Sequence, residues 1–157
     1  MKDFTKIVNK LRDQKLTIST MESCTGGKVA SEITNIPGAS EVLKFSAVTY
    51  SNEYKIKMGV DEKVIAKYSV YSMETAMEMA KKISMFSNSN WGIGITGKLK
   101  RKDEANLFGD DSTVYVCLYN KDKDMFYKDT LLCKYDERAK NKDLIIDKII
   151  TMLEEIL

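Results

Sequence analysis

The chain has 157 residues, 43% of them hydrophobic and 31% charged, with eight Gly, one Pro and a formal net charge of +2. That length suits a single domain over residues 1–157, since a chain of this size buries roughly 70% of its unfolded surface, and the composition excludes disordered and fibrous classes. His is absent. Its absence removes Ser-His-Asp and Cys-His mechanisms, imidazole general bases, and most zinc and non-haem iron sites.

The 25 Lys and Arg are interspersed with 23 Asp and Glu, a balance that does not point to nucleic acid. Cys24, Cys117 and Cys133 are odd in number and widely spaced, with no C-x-x-C, which favours reduced thiols over a disulfide framework or a metal knuckle. The opening MKDFTKIVNKLRDQK lacks the apolar run of a signal peptide, and no stretch approaches the ~18 apolar residues of a membrane span. A cytoplasmic, soluble protein is expected, with no membrane partner.

In chain order, Phe4, Ile7, Val8 and Leu11 lie at helical spacing and predict a first helix over about residues 2–14. Leu16–Met21 (LTISTM) reads as a strand, Glu22–Gly27 (ESCTGG) as a break, and Lys28–Thr34 as a second helix. Asn35–Ser40 (NIPGAS) is a loop, and Glu41–Tyr50 contains a strand rich in β-branched and aromatic residues. Short helices are expected over Asn52–Lys57 and Asp61–Lys67. A longer one runs over Ser72–Met85, with Ser72 as its cap. Trp91–Thr96 (WGIGIT) is an apolar run of buried-strand length. Gly97–Asp111 is a polar connection, Ser112–Tyr119 and Met125–Cys133 form a hairpin, and a last helix spans about 142–155. The alternation predicts an α/β fold, a three-layer α/β/α sandwich around a mixed, mostly parallel sheet.

Chemistry concentrates in Thr20–Gly27, TMESCTGG, between a strand and a helix. A serine at such a turn can act as a nucleophile, with N–H groups of the turn and the following helix receiving negative charge. Gly26 and Gly27 allow a ligand to approach the backbone. The competing reading is a Ser helix cap followed by turn glycines. Without His, a base for Ser23 has to be a Lys that is partly desolvated, so that its free amine takes the proton. Val48–Lys55 (VTYSNEYK) leaves a strand and brings Tyr50, Ser51, Asn52 and Lys55 close together; the alternative is an ordinary strand end with surface polar residues.

ESCTGG, then IPGAS (Ile36–Ser40), VTYSNEYK, MGV (Met58–Val60) and ITG (Ile95–Gly97), in this order, resemble the CinA C-terminal domain family over nearly the whole chain. Characterised members are nicotinamide-nucleotide amidohydrolases, which convert nicotinamide mononucleotide to nicotinate mononucleotide and ammonia. The resemblance implies Ser23 as nucleophile, assisted by Lys55 and Tyr50, with no metal or organic cofactor. It implies substrate contacts at Thr25, Gly26, Gly27, Gly97 and Arg138, the last matched to a family Arg near the final helix. The partner is then a small-molecule nucleotide, with a homo-oligomer left open. Full-length members carry a larger N-terminal domain with pyrophosphatase activity, which is not expected here.

After ITG the family continues with Ala-Gly-Pro, paired glycines and Lys-Pro-Val-Gly. This chain instead reads GKLKRKDEANLFGDDSTVYV. The rival reading is therefore a catalytically degenerate domain that binds a nucleotide or a protein partner without turnover. Gly97–Asp111 is expected to be mobile or differently folded without ligand. Three further patterns have bland readings. Gly92, Gly94 and Gly97 spell G-x-G-x-x-G within a strand, where small packed residues suffice. Cys24 fills a turn or is a low-pKa thiolate. Lys98–Lys102 (KLKRK) is a solvated loop or a grip for phosphate or RNA.

Overall fold

The computed structural model describes residues 1–100 and 110–157. The expected first helix is α1 (Thr5–Gln14), which turns Ile7, Val8 and Leu11 inward and ends at Lys15 in the left-handed region. β1 (Ile18–Glu22) follows, then a turn, α2 (Lys28–Thr34), a single 3-10 turn (Ala39–Glu41) and β2 (Leu43–Val48). Next come α3 (Asn52–Lys57), capped by the Ser51 hydroxyl, and α4 (Glu62–Tyr68), capped by the Asp61 carboxylate. In α5 (Met73–Ser87) the Ser72 hydroxyl accepts from Thr75 N–H, as the sequence predicts. β3 (Trp91–Gly97), β4 (Thr113–Asn120), β5 (Met125–Leu132) and α6 (Arg138–Ile156) complete the fold.

The last helix starts four residues before the apolar periodicity does, because its first turn is held by a polar side chain instead. The buried Asn141 amide accepts from Tyr135 N–H and donates to Tyr135 C=O, closing the entry into α6. That early start places Arg138 on the first helical turn.

The five strands run in the order β2-β1-β3-β4-β5. β1 pairs parallel with both β2 and β3, whereas β4 pairs antiparallel with β3 and with β5. β4 alone therefore runs against the other four, and the sheet is mixed. Helices α1, α2 and α6 cover one face over a core that includes Phe4, Leu11, Ile33, Ile93, Val116 and Ile149. On the opposite face α5 packs with the α3–α4 segment over Met21, Val60, Met79 and Ile83.

Gly92 and Gly94 let the α5 backbone lie directly on β3. A Cβ on Gly92 would sit 2.0 Å from Ala80 O, and one on Gly94 2.3 Å from Ala76 O. The glycines of the G-x-G-x-x-G pattern lie within β3 and serve its close packing. No helix among the described residues is long and apolar enough to cross a membrane. The carboxyl ends of β1, β2 and β3 share one edge of the sheet with the start of β4, and Ser23, Thr49 and Lys98 are the first residues beyond those three strand ends.

Candidate active site

Ser23 leaves β1 with its N–H bonded to Ile95 O at 3.2 Å, so its backbone is tied to β3. The chain then turns through Gly26 (φ +60°) and Gly27 (φ +95°), left-handed conformations that a Cβ disfavours. Gly27, not Ser23, caps α2. The Ser23 side chain is therefore released from the capping role and lies against Lys55.

The Lys55 Nζ donates to Ser23 Oγ at 3.0 Å and to the carbonyl oxygen of Thr49 at 2.6 Å. Lys55 is only 2% exposed and Ser23 7%. The local cause is short-range: β2 ends at Val48, Ser51 caps α3, and the single turn from Ser51 to Lys55 aims the lysine back across the strand ends. Burial costs the amine its hydration, which the Ser23 and Thr49 oxygens replace in part.

Glu22 organises the turn, and its part was not apparent from the sequence. Fully buried, its carboxylate accepts from the hydroxyls of Thr25 (2.7 Å) and Thr20 (3.1 Å) and from the N–H groups of Val29 (3.0 Å) and Ala30 (2.9 Å). Two consequences follow. The N–H groups at the start of α2 are occupied by Glu22, so the negative charge of a ligand is not received there. The Thr25 hydroxyl is likewise turned inward onto Glu22, leaving Thr25 its backbone to offer. Among the described residues the N–H groups of Thr25 and Gly27 have no backbone acceptor, and they remain as donors in the turn after Ser23.

Tyr50 and Arg138 meet at the rim. Arg138 Nη2 donates to Tyr50 Oη at 3.1 Å, while Nη1 donates to Lys98 O at 3.1 Å. Tyr50 is 64% exposed. One turn along α6, the Lys142 Nζ stands over Gly26, where an added Cβ would lie 3.4 Å from it. Its spacing of four from Arg138 is the sequence signal for this second cation, since i and i+4 share a helix face.

Gly97 ends β3, packed so closely that a Cβ would lie 2.9 Å from Val114 Cγ2. Beyond it, Lys98 departs from the solvated-loop reading. Its buried amine meets Asp111 Oδ1 at 3.1 Å and the Tyr71 ring at 5.1 Å. Leu99 and Lys100 both take positive φ, with Leu99 buried in the core. Lys100 N–H donates to Asp111 O at 2.6 Å. Arg101 and Lys102, and most of the expected mobile segment, lie outside the described residues.

Cys24 is fully buried, and burial pushes its thiol up to about 12 despite the nearby positive charges of Arg138 and Lys55. It fills the turn as a neutral thiol. Among the described residues no cluster of three Cys, Asp or Glu side chains could hold a metal ion.

The CinA C-terminal domain model matches residues 2–157. The chain belongs to the CinA C-terminal domain family. A CinA-like protein of Kosmotoga olearia is 48% identical over 92 residues, covering 58% of this chain and 22% of that protein. A CinA-like protein of Flavobacterium psychrophilum is 41% identical over 110 residues, 69% of this chain and 26% of the relative. The chain thus spans about a quarter of the length of these curated relatives. Among solved structures, a CinA superfamily protein from Escherichia coli superposes with a TM-score of 0.87 at 23% identity, covering 98% of this chain and 87% of that one. A competence or damage-inducible protein from Enterobacter asburiae gives 0.79 at 26% identity, covering 96% and 91%. The CinA-type α/β fold is therefore shared by chains whose sequences have diverged widely.

Proposed function

We propose that this CinA domain is an amidohydrolase that converts nicotinamide mononucleotide to nicotinate mononucleotide and ammonia. The observation that carries the reading is the 3.0 Å contact between the Lys55 amine and the Ser23 hydroxyl, with both groups buried. A buried lysine touching a serine oxygen supports a general-base role for Lys55 in a chain without His.

In the acylation step the Lys55 amine takes the Ser23 proton as Oγ bonds to the carboxamide carbon. The carbonyl oxygen becomes an oxyanion, which the N–H donors of the Cys24–Gly27 turn can receive. The C–N bond then breaks, and the departing ammonia takes the proton from Lys55. Water reverses the sequence on the acyl-serine. Thr49 O holds the lysine on line throughout. Because Glu22 occupies the start of α2, the phosphate of the nucleotide falls to Arg138 and Lys142, which line one face of α6 near Tyr50 and Gly26. The test is ammonia release from nicotinamide mononucleotide by wild-type protein beside S23A. Release by the wild type alone supports the reading, and none by either refutes it.

A second reading, a domain that binds nucleotide without turnover, draws on one feature. The pair of buried Lys98 with exposed Asp111 stands where the family carries its Ala-Gly-Pro loop. Calorimetric binding of the mononucleotide without ammonia release would select it.

A further inference from the structure

Thr49 follows β2 directly, as Ser23 follows β1. Its N–H donates to Glu22 O at 2.8 Å, continuing the pairing of Glu22 with Val48, so that Thr49 and Ser23 lie side by side across the strand pair. Side chains at paired positions of neighbouring strands share a face. The Thr49 carbonyl oxygen holds the Lys55 amine at 2.6 Å. Two of the three polar groups of this residue are therefore built into the site. The third, the hydroxyl, is buried and has no partner among the described residues. Leaving a buried hydroxyl unsatisfied is destabilising, so such a group calls for water or a ligand to complete it. Within one threonine the hydroxyl and carbonyl oxygens are at most about 4.5 Å apart by covalent geometry. The Thr49 hydroxyl consequently lies within about 7 Å of the Lys55 nitrogen, and one water bridges the two wherever they stand about 5.5 Å apart or less.

We propose that the Thr49 hydroxyl holds the water that hydrolyses the acyl-enzyme, beside the Lys55 amine. The inference rests on the amidase reading and adds a residue to its second half. In that step Lys55 takes a proton from the water as the water oxygen bonds to the acyl carbon. The bond from that carbon to Ser23 Oγ then breaks, and Oγ recovers the proton from Lys55. In acylation the Ser23 proton passes directly to Lys55 with no water involved, so the hydroxyl acts after ammonia has left.

The experiment compares wild type, T49V and T49S on nicotinamide mononucleotide, following ammonia by rapid quench and the protein by intact mass. T49V keeps the side-chain shape and is expected to release a burst of about one ammonia per molecule. It should then turn over about 10- to 100-fold more slowly than wild type, the cost of one lost hydrogen bond to a reacting group. Its mass should show one nicotinoyl nucleotide attached, and T49S should restore turnover. A T49V that matches wild type overturns the inference alone. So does a slowed T49V with no burst, or one with raised KM and unchanged kcat, which would place the hydroxyl on the substrate. Wild-type protein that releases no ammonia overturns the amidase reading and the inference with it. A wild-type crystal structure gives a readout independent of turnover: a water bridging Thr49 Oγ1 and Lys55 Nζ is expected, and a hydroxyl bonded only to protein refutes it.

Discussion

Arg138 and Tyr50, 88 positions apart in the chain, meet guanidinium to phenol at 3.1 Å. The other arm of the Arg138 fork is fixed on the carbonyl oxygen of Lys98, at the exit of β3. A planar fork held at two points gives a fixed direction that an ammonium cannot reproduce. R138K is therefore expected to lower kcat/KM for nicotinamide mononucleotide about tenfold or more. A double-mutant cycle with Y50F should show a coupling of about 1 kcal/mol. Equal effects of R138K in wild-type and Y50F backgrounds would show that the contact carries nothing.

Lys55 separates binding from chemistry. K55M keeps the length and buried bulk of the side chain while removing the amine. The expected result is a loss in kcat of about 100-fold or more with KM nearly unchanged, as for a base that acts only in the transition state. Calorimetry on the variant should still detect the mononucleotide. Loss of binding with retained kcat would assign Lys55 to the substrate instead.

Glu22 gathers four donors at one buried carboxylate. An amide in its place offers one oxygen and sets an NH2 group against N–H groups that need an acceptor. E22Q is expected to cost about 2–4 kcal/mol of stability, read from denaturant unfolding, and E22A at least as much. An unchanged unfolding midpoint would remove Glu22 from the framework of the turn.

The two glycines of β3 carry a steric prediction. With helix carbonyl oxygens 2.0 and 2.3 Å from the added Cβ positions, G92A and G94A have no small adjustment open to them, because the obstacle is backbone. Each should destabilise the fold by about 3 kcal/mol or more. A Tm close to wild type for either would contradict the packing of α5 on β3.

Burial pushes the Cys24 and Cys117 thiols up to about 12 each, from an ordinary thiol value of 9.0. Above pH 9 the unfolded chain loses these protons while the folded chain keeps them. The unfolded state then binds fewer protons, and stability falls as pH rises from about 9 toward 12 at about 1.4 kcal/mol per thiol per pH unit. Melting curves across that range should slope downward, less steeply for the C24A C117A variant. At pH 8 Cys24 should resist iodoacetamide until the protein unfolds. Rapid alkylation of native protein would contradict its burial as a neutral thiol.

Much of the element order was legible from periodicity and punctuation: Asn52–Lys57 and Lys28–Thr34 coincide with α3 and α2, and Ser72 caps α5 as its spacing implies. The start of α6 was not, because Asn141 fixes that turn through a side-chain bond to Tyr135 that no apolar pattern records. The contact between Lys55 and Ser23 followed from the missing imidazole and the motif resemblance. Glu22 and Lys98 were hidden for a common reason. A charged residue reads as solvent-facing until its partners are known, and those of Lys98 stand at Tyr71 and Asp111, apart from it in the chain. Lys142 was missed although it shares a helix face with Arg138, because its proximity to Gly26 depends on how α6 docks.

The single reversed strand has a consequence for how such a domain can change. Ser23, Thr49 and Lys55 are carried by β1, β2 and α3, all within the first part of the chain, with Ser23 also tied to Ile95 of β3. The connection after Gly97 leaves the same edge of the sheet and returns to it at Thr113, because β4 runs backwards along β3. Changes of sequence in that connection leave β1, β2 and α3, which carry Ser23, Thr49 and Lys55, as they are. On the amidase proposal, the bond-breaking groups and the rewritten connection thus occupy separate stretches of the chain, so that one can change in sequence without the other.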